Sequence, residues 1–186
     1  MIRIGMIGES PSDTTCIANL LNKKYASYVQ FFPLIKNIHG SNLDNRKIKR
    51  QLRREYELEK PDYILFIRDL DGFEHHFELL NYRKTWFSDL KSVVDKKGIL
   101  LLNIFELEAL LLTDIEMINK YYDSSIEQIE DCMKIEQPKE FLSKRINKYL
   151  TGHNAELFSL LNYNIVTDKC RYFKKFDEDF ESIALN

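Results

Sequence analysis

The chain has 186 residues, of which 44% are hydrophobic and 30% charged, and its formal net charge is −2. This composition is typical of a globular protein with one core, and the small net charge excludes nucleic-acid binding that is driven by bulk charge. The three cysteines are far apart and lack zinc-ligand spacing, which argues against a disulfide framework or a zinc site. The N-terminus does not resemble a signal peptide, and no apolar stretch reaches the ~20 residues of a membrane helix. We therefore expect a cytoplasmic protein with no membrane partner.

Strand and helix patterns alternate through the first two-thirds of the chain. The predicted buried strands span residues 2–8, 28–35, 62–68 and 99–105. The predicted helices span residues 12–24, 42–60 and 87–97, and helical periodicity continues from residue 106 onward. Because such alternation implies parallel strands joined by crossovers, we predict an α/β sandwich with a mainly parallel sheet of about four strands. Residues 1–113 would form its α/β core and residues 114–186 a helical extension of the same single domain.

Acidic residues follow three of the predicted strands. Glu9 follows the first strand, Asp69 and Asp71 follow the third, and Glu106 and Glu108 follow the fourth. The carboxyl ends of parallel strands lie along one edge of a sheet, where ligands bind. Carboxylates gathered there repel one another unless cations neutralise them, and hard divalent ions prefer such oxygen ligands. The pattern predicts a metal-dependent site for phosphate chemistry.

The Asp69-Leu70-Asp71 segment favours a shared site, because residues two apart in an extended chain point the same way. Leu70 would then turn into the core. The alternative is an aspartate that caps a turn. Gly8, which precedes Glu9, would let a ligand approach the backbone closely.

The remaining acidic residues also have two interpretations. Asp13 could project back to the sheet edge, or it could interact with the N-terminus of the first helix. Glu106 and Glu108 are expected to be neighbours of the site, since glutamate in a first helical turn needs no metal to explain it. Arg68 and Lys36 are further predicted neighbours: Arg68 would contact phosphate or pair with carboxylates, and Lys36 would lie on the functional edge or on the ordinary surface.

A basic run occupies the start of the second predicted helix. Ile48 and Leu52 are four residues apart and would face the core, leaving the charges outward. Such a face would bind phosphates in a salt-dependent way, or it would simply be a solvated helix surface. The candidate nucleic-acid-binding residues are Arg46, Lys47, Lys49, Arg50, Arg53 and Arg54. Further along, Tyr82, Trp86 and Phe87 at helical spacing are predicted to pack in the core.

The acidic pattern resembles that of the Toprim domain family, which occurs in topoisomerases, primases and OLD-type nucleases. In that family a Glu follows the first strand and an Asp-x-Asp follows a later one, here Glu9 and then Asp69 and Asp71. The segment from Glu9 to Asp13 is similar to the Glu-x-x-x-acid arrangement of OLD-type nucleases, with Asp13 where Glu is usual. The segments 106–114 and 137–142 also resemble small stand-alone Toprim-like bacterial proteins, several relatives of which act in antiphage defence.

The resemblance implies a Toprim-like Rossmannoid fold and a nuclease that hydrolyses phosphodiester bonds. It implies that Glu9, Asp69 and Asp71 are catalytic and that, with Asp13, they bind Mg²⁺ or Mn²⁺. DNA is the expected substrate rather than RNA. Because the chain has no Walker A pattern, any ATP use would need an ATPase partner protein. A role in antiphage defence is also expected. The helical C-terminal part could cover the sheet, form the surface of a homo-oligomer or dock an ATPase, and its pattern does not decide among these.

Two other functions fit the pattern. The acidic cluster could hold a structural cation or a partner's basic segment in a non-catalytic module that docks an ATPase or nucleic acid. A phosphoacceptor that resembles a response regulator also places acids at strand ends, but neither a lone acceptor Asp nor a later strand-end Lys is evident here.

Overall fold

Four parallel strands form the centre of the fold in the computed structural model, which describes residues 1–36 and 40–185. They are β1 (Ile2–Ile7), β2 (Val29–Pro33), β3 (Tyr63–Asp69) and β4 (Gly98–Asn103). Their order in the sheet is β2-β1-β3-β4, and every neighbouring pair is parallel. The predicted α/β class and parallel sheet are confirmed.

Helices connect the strands and make up the C-terminal part of the chain. Those that alternate with the strands are α1 (Pro11–Tyr25), α2 (Lys47–Glu59) and α3 (Phe77–Lys91). Those after the sheet are α4 (Ile115–Tyr122), α5 (Pro138–Arg145), α6 (Asn154–Leu160), α7 (Tyr163–Lys169) and α8 (Arg171–Ala184). Short 3-10 helices span Gly40–Asp44, Ser92–Val94, Leu107–Thr113, Cys132–Lys134 and Thr151–His153.

Both faces of the sheet are covered by helices. Along β3, Leu65 and Ile67 belong to a core formed with α1 and the C-terminal helices, while Ile64 and Phe66 pack with α2 and α3. This alternation follows from the two-residue period of a strand, and it explains why the strands are almost continuously apolar. The three cysteines are free and buried in this structure. Among the described residues, no helix combines the length and apolar character needed to cross a bilayer.

The prediction for the third helix was wrong at both ends. A helix over residues 87–97 was expected, whereas α3 runs from Phe77 to Lys91 and a 3-10 helix follows it. The inward face of α3 includes the buried Arg83 as well as Trp86 and Leu90. A charged residue at an inward position interrupts the apolar periodicity from which a helix is predicted.

The second predicted helix is divided. Instead of one helix over residues 42–60, a 3-10 helix (Gly40–Asp44) precedes α2. The Asn45 side chain accepts a hydrogen bond from the backbone N–H of Lys47 (3.0 Å), which satisfies a donor at the start of α2. The helix ends at Glu59, because the following Lys60 has a left-handed φ of 47° and lies directly before Pro61.

A buried carboxylate ties the helical C-terminal part to α1. Asp177 of α8 accepts hydrogen bonds from the hydroxyls of Tyr25 in α1 and Tyr163 in α7. Its other oxygen lies 2.9 Å from Nζ of Lys24. Burial and the hydrogen bond to Asp177 raise the pKa of Tyr25 to about 12, so its hydroxyl stays a donor. These contacts join three helices over one face of the sheet.

Replacing this carboxylate should destabilise the protein. Asp177→Ala removes the acceptor shared by two tyrosine hydroxyls and the partner of Lys24, and we expect the free energy of unfolding to fall by about 3 kcal/mol. Tyr25→Phe removes one hydrogen bond and should cost about 1 kcal/mol. Urea unfolding measures both changes.

Asp179→Ala is the matched control on the same helix. Its carboxylate pairs with Lys175 in a solvent-exposed contact, and exposed ion pairs contribute little. We expect no measurable change. Equal effects of Asp177→Ala and Asp179→Ala would contradict the structural role of the buried carboxylate.

Candidate functional site

The strand register places Glu9 beside the end of β3. Ile7 of β1 pairs with Phe66 of β3, so that Glu9, two residues beyond Ile7, lies level with Arg68 and next to Asp69. From β1 the chain crosses to β2 on one side of the sheet centre, and from β3 it crosses to β4 on the other side. The gap between β1 and β3 is therefore the topological switch point of the sheet, where open α/β sheets bind ligands.

Glu9 and Asp69 are joined by a direct contact. The backbone N–H of Asp69 donates to Oε1 of Glu9 (3.2 Å), and the Asn103 side chain donates from Nδ2 to Oδ1 of Asp69 (2.9 Å). Among the described residues, Oε2 of Glu9 and Oδ2 of Asp69 take no hydrogen bond. Each carboxylate thus has one oxygen held by the protein and one left for another partner.

Desolvation at the packed sheet edge raises the pKa of both carboxyl groups. It raises the pKa of Glu9, an effect that the nearby Arg68 guanidinium opposes. It also holds the pKa of Asp69 well above its ordinary value; the Asn103 hydrogen bond opposes this shift, and the charges of Glu9, Asp13 and Glu108 add to it. A cation at this edge would favour the ionised form of both groups.

Arg68 pairs with carboxylates on the side of the sheet opposite Asp69. Its side chain is 4% exposed; Nη2 donates to Oδ2 of Asp44 (2.7 Å), and Nε lies 3.1 Å from Oε1 of Glu9. The guanidinium also lies over the Trp86 ring, 5.3 Å from its centroid. Of the two roles considered from the sequence, carboxylate pairing is the one observed, and it fixes the position of Glu9.

Asp71 takes a different direction from Asp69. Its φ of 59° is left-handed, so the chain turns there and is not extended. Leu70 is buried in the core, as expected, while the Asp71 carboxylate is exposed and pairs with Nη2 of Arg83. Arg83 in turn approaches Asp44, at 3.8 Å. The electrostatic influence of Asp71 still reaches Glu9, whose pKa it raises.

Asp13 forms a capping box at the start of α1. Its Oδ2 accepts from the backbone N–H of Ser10 (2.7 Å) and its Oδ1 from the Ser10 hydroxyl (2.7 Å). Both oxygens are therefore engaged with the helix N-terminus, the second of the two roles considered for this residue. A Cβ added at Gly8 would lie 2.9 Å from Cβ of Asp13, so this turn requires glycine for space.

Glu106 and Glu108 connect the edge to the C-terminal helices. Oε2 of Glu106 accepts from the backbone N–H of Lys139 (3.1 Å). Glu108 is buried and accepts from Nδ2 of Asn154 (2.9 Å), whose own oxygen accepts from Tyr149 (2.9 Å). Burial raises the pKa of Glu108. These glutamates lie within a 3-10 helix and its cap, not in the α-helix that was expected.

The basic residues of α2 lie on the surface, as the pattern predicted, while Ile48 and Leu52 are buried. Two of the basic residues pair with carboxylates: Lys49 lies 2.7 Å from Asp89, and Arg54 contacts Glu55. Within the described ranges, the other four basic residues have no ion-pair partner; they are Arg46, Lys47, Arg50 and Arg53. Lys36 is an exposed residue beyond the end of β2.

Three residues of the site were not predicted from the sequence. Asp44 and Arg83 complete the ion-pair network of Arg68, and Asn103 orients Asp69. Among the described residues, Oδ1 of Asn103 is buried without a hydrogen-bond partner, a cost that native proteins usually accept only for a reason. The only sequence signal is that Asn103 ends an apolar strand, as Asp69 does.

The described residues contain no ready-made group of three or more His, Cys, Asp or Glu side chains that could hold a metal ion. The fold and site define an α/β protein with paired carboxylates at its switch point. Over residues 8–181 the chain matches the model of a family described as a domain of unknown function, DUF4276, and it belongs to that family. Neither the curated proteins nor the solved structures contain a match to the chain.

Asp69→Asn should stabilise the metal-free protein at neutral pH. Because the pKa of Asp69 is raised on folding, the folded state binds more protons than the unfolded state between the two pKa values. Stability of the natural protein should therefore fall as pH rises from about 4, the ordinary value for Asp. Asp69→Asn has no carboxylate to ionise at this position and does not lose this stability. Its urea midpoint should therefore be higher than that of the natural protein at pH 7, and the two midpoints should differ less near pH 4.

Asp168→Asn, at an exposed position on α7, is the control and should leave the midpoint unchanged at each pH. A lower midpoint for Asp69→Asn at pH 7 would contradict the account, since it would mean that the ionised carboxylate contributes net stability.

Proposed function

We propose that this protein is a Mg²⁺- or Mn²⁺-dependent nuclease of Toprim type that hydrolyses nucleic-acid phosphodiester bonds. The observation that carries the proposal is the pair of free carboxylate oxygens, Oε2 of Glu9 and Oδ2 of Asp69, on adjoining strand ends at the switch point. The Toprim resemblance of the sequence points to the same two residues.

The donor set fits a hard divalent ion. Mg²⁺ takes oxygen ligands, usually binds through one or two carboxylates, and completes its shell with waters and substrate phosphates. Glu9 and Asp69 would supply these two carboxylates, each oriented through its other oxygen. A divalent ion bound there would polarise the phosphodiester and stabilise the leaving oxygen.

The chain's own residues have distinct roles in this proposal. Glu9 has a raised pKa and a free oxygen, which suits it to accept or donate a proton at the substrate. Arg68 acts as a positioning residue, because its buried guanidinium holds Oε1 of Glu9 and leaves Oε2 available. Asn103 does the same for Asp69.

Asp71 and Asp13 are secondary members of the proposed site. Asp71, whose exposed carboxylate pairs with the buried Arg83, would join the metal ligands when this ion pair opens. Asp13, now bound to Ser10, would contribute through its charge, which acts on Asp69.

The proposed substrate is DNA, bound in part by the exposed basic residues of α2, which would make the affinity salt-dependent. The proposal also includes an ATPase partner and a role in antiphage defence, both of which rest on the sequence resemblance. A measurement of nuclease activity distinguishes the proposed nuclease from the alternative, a non-catalytic docking module.

Cleavage assays test the function directly. Plasmid DNA and total RNA are incubated with the natural protein in Mg²⁺, Mn²⁺ or EDTA, and products are followed on gels. We expect cleavage only with metal, and a loss of at least 100-fold in Glu9→Gln and Asp69→Asn because the carboxylates act directly on the reaction. Asp71→Asn should cost less than Asp69→Asn.

Asp168→Asn again provides the control, since it makes the same chemical change on an exposed helix face. Cleavage that persists undiminished in both Glu9→Gln and Asp69→Asn would reject the proposed site. Absence of cleavage with every metal and substrate, and with lysate added to supply a partner, would favour the docking module.

A further inference from the structure

A cleft opens beside the sheet edge, between the start of α2 and α3. It has a volume of about 230 Å³ and is lined in part by Leu43, Asp44, Arg46, Lys49, Tyr82 and Trp86. We call it the α2–α3 cleft. Sites for drug-sized ligands usually measure roughly 300–1,000 Å³, so this cleft suits one small ring system better than a whole cofactor.

An exposed aromatic ring forms one wall of the cleft. Tyr82 was expected to pack in the core, but 54% of it is exposed. Its hydroxyl lies 3.5 Å from Oδ1 of Asp44, and the Arg83 guanidinium lies over its ring, 5.6 Å from the centroid. These contacts hold the ring in place while much of it remains open, which is the arrangement of a stacking platform. Trp86 lines the cleft but is largely buried, with its N–H donated to the carbonyl of Leu43 (3.0 Å).

Both acidic and basic side chains line the cleft. Asp44 and Asp89 line the cleft, where Asp44 pairs with Arg68 and Asp89 with Lys49. The remaining lone pairs of these carboxylates can accept hydrogen bonds from the amino groups of bases. Arg46 and Lys49 are the basic residues of the lining, and the exposed Arg50 and Arg53 continue along α2. Carboxylates that suit a base edge and cations that suit a backbone thus lie side by side.

We propose that the α2–α3 cleft receives one unpaired base of a single-stranded nucleic acid, stacked on Tyr82, while the α2 cations bind the flanking phosphates. A base in a duplex is already stacked and could not enter. This inference rests on the proposed nuclease function and adds to it that the substrate is single-stranded or locally opened.

The cleft is directly connected to the candidate active site. Asp44, which lines the cleft, and Glu9, at the switch point, contact the same guanidinium of Arg68. Trp86 likewise lines the cleft and packs against Arg68. The buried Arg68 thus lies between the cleft and Glu9 at the switch point.

Fluorescence anisotropy in EDTA tests binding without cleavage. The probes are one labelled oligodeoxynucleotide, the same sequence as RNA, and the DNA duplex. We expect both single strands to bind more tightly than the duplex, and Tyr82→Ala to weaken single-strand binding about tenfold, as for the loss of one stacked base. Tyr82→Phe should retain most of the affinity, and Arg50→Glu/Arg53→Glu should weaken binding of all three probes and reduce the salt dependence.

Tyr28→Ala is the matched control, because Tyr28 is 51% exposed and precedes β2, outside the cleft. An oligonucleotide with 2-aminopurine gives a second measurement on the natural protein, since stacking on Tyr82 should quench its emission. Equal single-strand affinity for Tyr82→Ala and Tyr28→Ala, or no binding by any probe, would overturn the inference. Binding that depends on Tyr82 without metal-dependent cleavage would reject only the nuclease.

Discussion

Two desolvated carboxylates at adjoining strand ends, Glu9 and Asp69, are the constraint on which the surrounding contacts depend. Burial disfavours ionisation of both Glu9 and Asp69 and raises their pKa values, and the charge of Glu9 adds to the shift at Asp69. The protein offsets this cost on each side of the sheet, with Arg68 against Glu9 and Asn103 against Asp69. A globular fold gains nothing in stability from such a pair, which is why we assign it to function.

The contacts of the surrounding elements follow from this arrangement. Successive residues of β3 face opposite layers, so Arg68 reaches the α2–α3 side while Asp69 faces α1 and the C-terminal helices. On the α2–α3 side, Arg68 forms ion pairs with Glu9 and Asp44 and lies next to the α2–α3 cleft. On the second side, Glu108 is fixed by Asn154 of α6, so the C-terminal helices form part of the environment of Asp69.

The central part of the fold could be predicted from the sequence because its signals are local. Apolar runs that end in acidic residues predicted the strands, and parallel pairing then required Glu9 and Asp69 to lie at one edge. The direction of Asp71 could not be predicted, since it depends on a left-handed residue that follows the strand. A two-residue spacing brings carboxylates together only while the chain stays extended.

The supporting residues could not be predicted for a related reason. Arg83 and Asn103 are polar residues on inward-facing positions, where periodicity alone leads one to expect apolar side chains. Their partners lie on other elements, so no local pattern reveals them. Because Arg83 interrupts the apolar periodicity, the first turns of α3 were not predicted. The exposure of Tyr82 on the same helix was not predicted either.

The most direct test of this account is a crystal structure of the protein grown with Mn²⁺, with anomalous difference density collected to locate the ion. We predict one peak within ligand distance of Oε2 of Glu9 and Oδ2 of Asp69, and its loss in Asp69→Asn crystals. An ordered structure with no peak at this edge at millimolar Mn²⁺, or with the ion bound only elsewhere, would contradict it.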